Sequence, residues 1–256
     1  MKLACWNINS IRARKDRLLG WLDVARPDVL CLQETKVVDA EFPSAELAER
    51  GYQSVAHGQK TYNGVAIASR QPLAGVCMGF GDGGDDSQCR LVVADTFGLR
   101  VASVYVPNGG ELGSEKYAFK LAWLARLRAW LERTARPDQP LVLCGDFNVA
   151  PRESDVAYPE QWQESVLFHP SVREALQPTL AWGLRDLFAE KVPQGGVYSW
   201  WDYRQLSFPR GDGLRIDLVL ATAPVAERCE RAWVDRDARK GKQPSDHAPV
   251  LVELRE

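Results

Sequence analysis

Eight apolar runs of strand length, each closed by turn residues, recur along the chain: 2–7, 28–33, 65–69, 90–95, 99–106, 141–144, 214–221 and 249–254. Between them lie two helical patterns. Ile11, Leu18 and Leu22 recur at helical spacing, as do Tyr117, Leu121, Leu124, Leu127 and Leu131. Pro27-Asp28 ends the first helix and Arg136-Pro137-Asp138 the second, so both connections are short and belong inside one unit. At 256 residues the chain is long for a single domain, but α/β sandwiches and barrels reach that size, and one α/β domain over residues 1–256 is expected. Long irregular loops are expected at 150–170 and 204–213, and such loops on a compact scaffold commonly touch substrate.

Composition removes several alternatives. An apolar share of 45% supplies a core and excludes wholesale disorder. No apolar run approaches the roughly 18 residues that span a bilayer, and the first residues lack a signal-peptide pattern, so a cytoplasmic protein with no membrane partner is expected. The net charge of -2 argues against coating nucleic acid through bulk charge. Any polyanion must be met locally. Residues 116–136 carry Lys116, Lys120, Arg126, Arg128, Arg133 and Arg136 against Glu132, and residues 2–17 carry Lys2, Arg12, Arg14, Lys15 and Arg17 against Asp16. Taken alone, each patch reads as a solvated face. The six cysteines form no C-x-x-C pair and read as reduced, and no clustered Cys/His spacing suggests zinc. Residues 81–86 lack the EF-hand spacing and read as an exposed turn.

Chemistry collects where apolar runs end. The runs close in Cys5-Trp6-Asn7-Ile8-Asn9, Leu32-Gln33-Glu34-Thr35-Lys36, Val104-Tyr105-Val106-Pro107-Asn108, Cys144-Gly145-Asp146-Phe147-Asn148 and Arg215-Ile216-Asp217-Leu218, while Ser245-Asp246-His247-Ala248-Pro249 precedes the last run. Residues i and i+2 of a strand share a face, so Asp146 and Asn148 are expected to project together. If these ends converge, Glu34, Asp146, Asp217 and Asp246 raise one another's pKa unless a cation compensates them. Magnesium fits such a set of carboxylate and amide oxygens. His247 adds a donor for a phosphoryl oxygen. The parts together suit phosphoester hydrolysis.

These motifs, with Asn63-Gly64-Val65-Ala66, Tyr198-Ser199-Trp200-Trp201 and Leu214-Arg215-Ile216-Asp217, stand in the order found in the exonuclease III group of apurinic/apyrimidinic endonucleases, within the endonuclease/exonuclease/phosphatase superfamily. The chain resembles that family over its whole length. The resemblance implies a four-layer α/β sandwich like that of deoxyribonuclease I, with two mixed β-sheets packed face to face and helices outside. It implies Asn7, Glu34 and Asp246 as the metal site for Mg2+, with Mn2+ as a substitute. Asp146 would activate the attacking water and Asn148 position it; Asp217 would orient His247 on the scissile phosphate, with Tyr105 at the phosphate or leaving group. Lys36, Arg90, Asn108 and Lys116 are candidates for DNA backbone contacts.

The same resemblance implies double-stranded DNA, abasic or 3′-blocked, as the partner, and a monomer as the default state. Trp200, Leu214 and Ile216 would line a pocket for a base-less sugar, and Phe208, taken as exposed, would wedge into the duplex. The loop Gln205-Leu206-Ser207-Phe208-Pro209-Arg210-Gly211-Asp212 is less basic than the family pattern, which bears on the balance between lesion cleavage and exonuclease action. The catalytic cluster fixes the reaction more firmly than the substrate, so a phosphatase or phosphodiesterase for a lipid or small phosphoester is the alternative.

Overall fold

The computed structural model describes residues 1–255. Twelve strands follow one another as β1 (Lys2–Asn7), β2 (Val29–Gln33), β3 (Gln53–His57), β4 (Val65–Ser69), β5 (Ala74–Met78), β6 (Leu91–Thr96), β7 (Leu99–Tyr105), β8 (Leu141–Asp146), β9 (Leu184–Asp186), β10 (Asp217–Thr222), β11 (Cys229–Val234) and β12 (Val250–Leu254). They form two six-stranded sheets, ordered β11-β12-β1-β2-β4-β3 and β5-β6-β7-β8-β10-β9. Each sheet has one parallel pair, β1 with β2 and β7 with β8; the other neighbours are antiparallel. A parallel pair needs a crossover. Helix α1 (Ile11–Ala25) makes it in the first sheet and, after the short α2 (Ser44–Ala48), helix α3 (Glu115–Thr134) makes it in the second.

Strand alternation builds the layers. Leu3, Cys5, Val29 and Cys31 of the first sheet face Val101, Val142, Cys144 and Val219 of the second, forming a core between the sheets. Their neighbours in sequence turn outward. Ala4, Trp6, Leu30 and Leu32 pack with Leu18, Trp21 and Leu22 of α1. Leu141, Leu143, Leu218 and Leu220 pack with Trp123, Leu124, Leu127 and Leu131 of α3. The result is the expected four-layer sandwich. No helix among the described residues is long and apolar enough to cross a membrane. The six cysteines are free thiols, with Cys5, Cys31 and Cys144 in the inter-sheet core and Cys77 exposed.

Two expectations change at element boundaries. β8 continues past residue 144 to Asp146, because Gly145 at φ 154° lets the backbone of β7 approach; a Cβ there would lie 1.9 Å from the Val104 carbonyl oxygen. The run at 214–221 becomes a strand only at Asp217. Leu214 instead bridges Val156 and Trp200, and the Ser199 hydroxyl accepts from the Ile216 and Asp217 N–H groups. The 150–170 stretch is mostly irregular, broken by a turn at Glu153–Asp155 and by α4 (Pro159–Trp162), and leads into α5 (Pro170–Ala181) against α3.

Candidate active site

The inner-face alternation that gives Leu3 and Cys5 next gives Asn7; Val142 and Cys144 are followed by Asp146, and Val101 and Ser103 by Tyr105. Polar side chains thus replace apolar ones where the inter-sheet core meets one end of the sandwich. Strand register places them side by side: Tyr105 pairs with Asp146 and Asp146 with Asp217, while Asn7 pairs with Gln33, next to Glu34. The turn before β12 delivers Asp246 and His247 to the same end, held by the Trp201 N–H on the Asp246 carbonyl and by a bridge from Trp200 to His247. Asn9, Glu34, Lys36 and Asn148 all adopt left-handed backbone conformations, at φ 45°, 50°, 56° and 49°. Such conformations in residues other than glycine store strain and concentrate at working sites.

The site is buried and charged. Asp146 is 1%, Asp217 0% and His247 3% exposed. His247 Nδ1–H donates to Asp217 Oδ2 at 2.8 Å, which fixes the ring, and its Nε2 lies 3.7 Å from Asp146 Oδ2. Burial works against the His247 cation, but Asp217, Asp146 and Asp246 outweigh it and raise the pKa to about 10. Burial also raises the Asp146 carboxyl, to about 7; Asp217 and Glu34 add to the rise, while His247 and the Asn7 amide oppose it. The Tyr105 phenol is held well above its usual value by burial, then by Glu34 and Asp146, so it remains a donor. The Asn148 N–H donates to Asp146 Oδ1 at 2.9 Å, and its side chain bonds Asn108 and the Val106 carbonyl.

Glu34, Asp146 and His247 each offer a ligand atom within 4.8 Å of the others. Asn7, expected as a metal ligand, stands between two of the site's carboxylates. Its Oδ1 accepts from the Asn9 N–H at 3.0 Å, which turns the Nδ2 donors toward Glu34 and Asp146, each at 2.8 Å. It acts as a strut between two carboxylates. Asn9, absent from the sequence-based site, holds Asp246 through Nδ2 at 2.8 Å and accepts the Lys36 ammonium on Oδ1 at 2.7 Å. That ammonium also lies 2.7 Å from Glu34 Oε2. A cationic group therefore already bridges two hard oxygens here, and this donor set fits a divalent cation of the magnesium type.

A family model described as the endonuclease/exonuclease/phosphatase family matches residues 4–247. The chain belongs to this family. It lies in the exonuclease III and AP endonuclease branch, and it is a phosphodiesterase of that type. Exodeoxyribonuclease III of Haemophilus influenzae is 34% identical over 267 residues, covering all of both chains. The structure of an AP endonuclease from Archaeoglobus fulgidus superposes with a TM-score of 0.97 at 40% identity, over all of both chains. A 3′ phosphatase from Neisseria, bound to product DNA hairpin, superposes with a TM-score of 0.96 at 39% identity, again over the whole of both.

On the substrate side this family member departs from several expectations. The basic helix is largely spent inside the fold: Lys120 is fully buried, Arg126 pairs with Asp82 and Asp86, Arg128 with Glu132, and Arg133 donates to the Phe80 carbonyl. Lys116 stays exposed at the start of α3, against Gly110. The patch at 2–17 is likewise tied down, with Arg12 on Glu41, Lys15 on Glu46, and Arg14 and Arg17 on carbonyls of the 238–244 segment. Arg90 stacks on the Tyr105 ring, 4.6 Å from its centroid, and donates to the Tyr105 carbonyl. Asn108 is exposed beside Asn148. Phe208 is half-buried rather than exposed, packed edge-on against Trp201 at 5.0 Å with Arg236 and Arg239 over its ring. Leu214 and Ile216 are interior residues at 0% and 1% exposure. Trp200 keeps part of its surface, meets Trp162 edge-on at 5.8 Å, and donates from Nε1 to Asp246 Oδ2 at 3.0 Å. That last contact could not be read from the sequence.

Proposed function

We propose that the chain is a magnesium-dependent DNA repair nuclease that hydrolyses the phosphodiester 5′ to abasic sites, trims blocked 3′ ends and degrades duplex DNA from 3′ to 5′. The observation that carries this reading is the buried Asp217–His247–Asp146 group facing Glu34 across the two sheets. The AP endonuclease, exodeoxyribonuclease and 3′ phosphatase activities named for its relatives, one of them bound to a DNA hairpin, support the substrate class.

Asp146, with its raised pKa, accepts a proton from the attacking water at neutral pH. Asn148 orients that water. The new bond forms between the water oxygen and phosphorus as the bond from phosphorus to the 3′ oxygen breaks, and a proton restores the 3′ hydroxyl. Glu34, with Asp246 and the Asn9 amide oxygen beside it, would hold the cation, which when bound supplies positive charge to the phosphate and the leaving oxygen. The His247 imidazolium, held by Asp217, donates through Nε2–H to a phosphoryl oxygen, and the Tyr105 phenol donates alongside it; one such donor is worth about 3 kcal/mol in the transition state. Lys36, Arg90, Asn108 and Lys116 bind the flanking backbone.

The test is incubation of the purified protein with a duplex carrying one abasic analogue and with an undamaged recessed duplex, with and without magnesium. Both are cut only with the metal. Cleavage that survives EDTA overturns the cation's role. Inertness on both duplexes together with turnover of an inositol phosphate replaces DNA with a small phosphoester.

A further inference from the structure

Helix α3 buries a face built from Tyr117, Trp123, Leu124, Leu127, Trp130 and Leu131, and on that face stands Lys120, with no exposed surface. The helix does not need it for anchoring, since an apolar residue would serve there. Its ammonium instead meets three main-chain carbonyls, those of Asn108 at 3.0 Å, Asn148 at 2.6 Å and Val166 at 2.6 Å. Three N–H donors meet three acceptors, which satisfies every hydrogen of the charged form. Burial pulls the Lys120 pKa down to about 7, with Asp146 opposing, so this group is retained against a desolvation penalty. Gly109, at φ 99°, lets the loop close on the lysine stem; a Cβ there would sit 2.9 Å from Lys120 Cδ.

We propose that Lys120 is a positioning residue for phosphodiester hydrolysis, which holds the main chain of Asn148 and Asn108 from behind and never touches DNA. Asn148 is strained at φ 49°, and its N–H bonds Asp146. Locking its carbonyl therefore fixes both the water-orienting amide and one oxygen of the base. The Val166 contact ties the 150–170 loop to the same point, so one ammonium joins three segments that border the site. This inference rests on the role given to Asn148 under the proposed function.

Steady-state kinetics on the abasic duplex, with magnesium, test it in Lys120→Met, Asn148→Ala and the double variant. Displacements of about 1 Å at a site cost on the order of 100-fold, so Lys120→Met should lose about that factor in kcat, with KM changed by less than about threefold. The double variant should lose less than the product of the two single losses, because the part of the Lys120 effect that acts through the Asn148 amide is already gone. If Lys120→Met does not fold, Lys120→Gln is held to the same criteria. A kcat within about threefold of the parent in the folded variant, a loss confined to KM, or multiplied losses in the double variant overturn the proposal. Undiminished kcat in Asn148→Ala instead overturns the site assignment beneath it.

Discussion

Among single residues, Asp146 and Asp217 differ in what their loss should do. Both are buried carboxylates, in register on neighbouring strands. Asp146 faces the reacting water, so Asp146→Asn removes the base while keeping the shape of the site; turnover should fall by about 10²–10⁴-fold, with affinity for DNA largely spared. Fluorescence anisotropy beside a single-turnover assay separates the two, and near-parental turnover would remove Asp146 from the mechanism. Asp217 reaches the substrate only through His247. Asp217→Asn leaves the imidazole in an uncertain tautomer and strips the main support of its charge, so a loss on the order of 10²–10⁴-fold is expected. The NMR titration of the His247 ring should move down at the same time; an unmoved ring titration would show that Asp217 does not hold the proton there. Both aspartates were legible in the sequence, Asp146 where an apolar run closes and Asp217 within the apolar run 214–221, in the motif Leu214-Arg215-Ile216-Asp217. Asn9 was not. Its contacts to Asp246 and Lys36 join residues from distant parts of the chain, and nothing local marks them.

At the level of elements, strands covered on both faces were legible and edge strands were not. β1, β2, β4 and β8 are apolar along nearly their whole length, because a layer lies on either side. β5 is exposed throughout, β11 carries Glu230 and Arg231, and β9 has three residues; pairing with a neighbour, rather than their own pattern, makes them strands. The run 214–216 also escaped prediction, because an ion network holds it. Arg215 is fully buried and reaches Asp155 through two bonds of 2.8 Å and Asp186 at 2.8 and 3.2 Å, with Arg152 on the far side of Asp155. Burial pushes the Asp155 pKa up, but Arg215 and Arg152 outweigh it and hold it below 3.8. A depressed carboxyl stabilises the fold fully above its unfolded pKa and loses that contribution as pH falls through the lower folded value. Denaturant unfolding across the acid range should therefore show a stability loss as pH falls below the ordinary aspartate range, and that loss should shrink in Asp155→Asn. At neutral pH the same variant leaves a buried guanidinium short of one charge and should lose roughly 3–5 kcal/mol. Parallel acid limbs in parent and variant would dismiss the network as their source.

Across the whole molecule, the site is a seam. The sheet containing β1 and β2 brings Asn7 and leads into Glu34, the facing sheet brings Tyr105, Asp146 and Asp217, and the turn before β12 closes it with Asp246 and His247. Repeated polar strand ends made the convergence legible, but which strands lie side by side is set by register, which no local pattern encodes. The consequence is mechanical as well as catalytic, because Glu34 on one sheet and Asp146 on the other repel across the seam. A divalent cation held at Glu34 would offset that repulsion and would bind the native state and not the unfolded chain, so it should stabilise the entire sandwich by about 2.7 kcal/mol at a hundred times its dissociation constant. For a chain of this size that is a rise in melting temperature of roughly 5–10 °C. Magnesium titration followed by thermal unfolding should show the rise in the parent, reverse it with EDTA, and lose it in Glu34→Gln. An equal rise in Glu34→Gln would mean that the cation binds elsewhere, and the two sheets would then owe nothing of their cohesion to the metal.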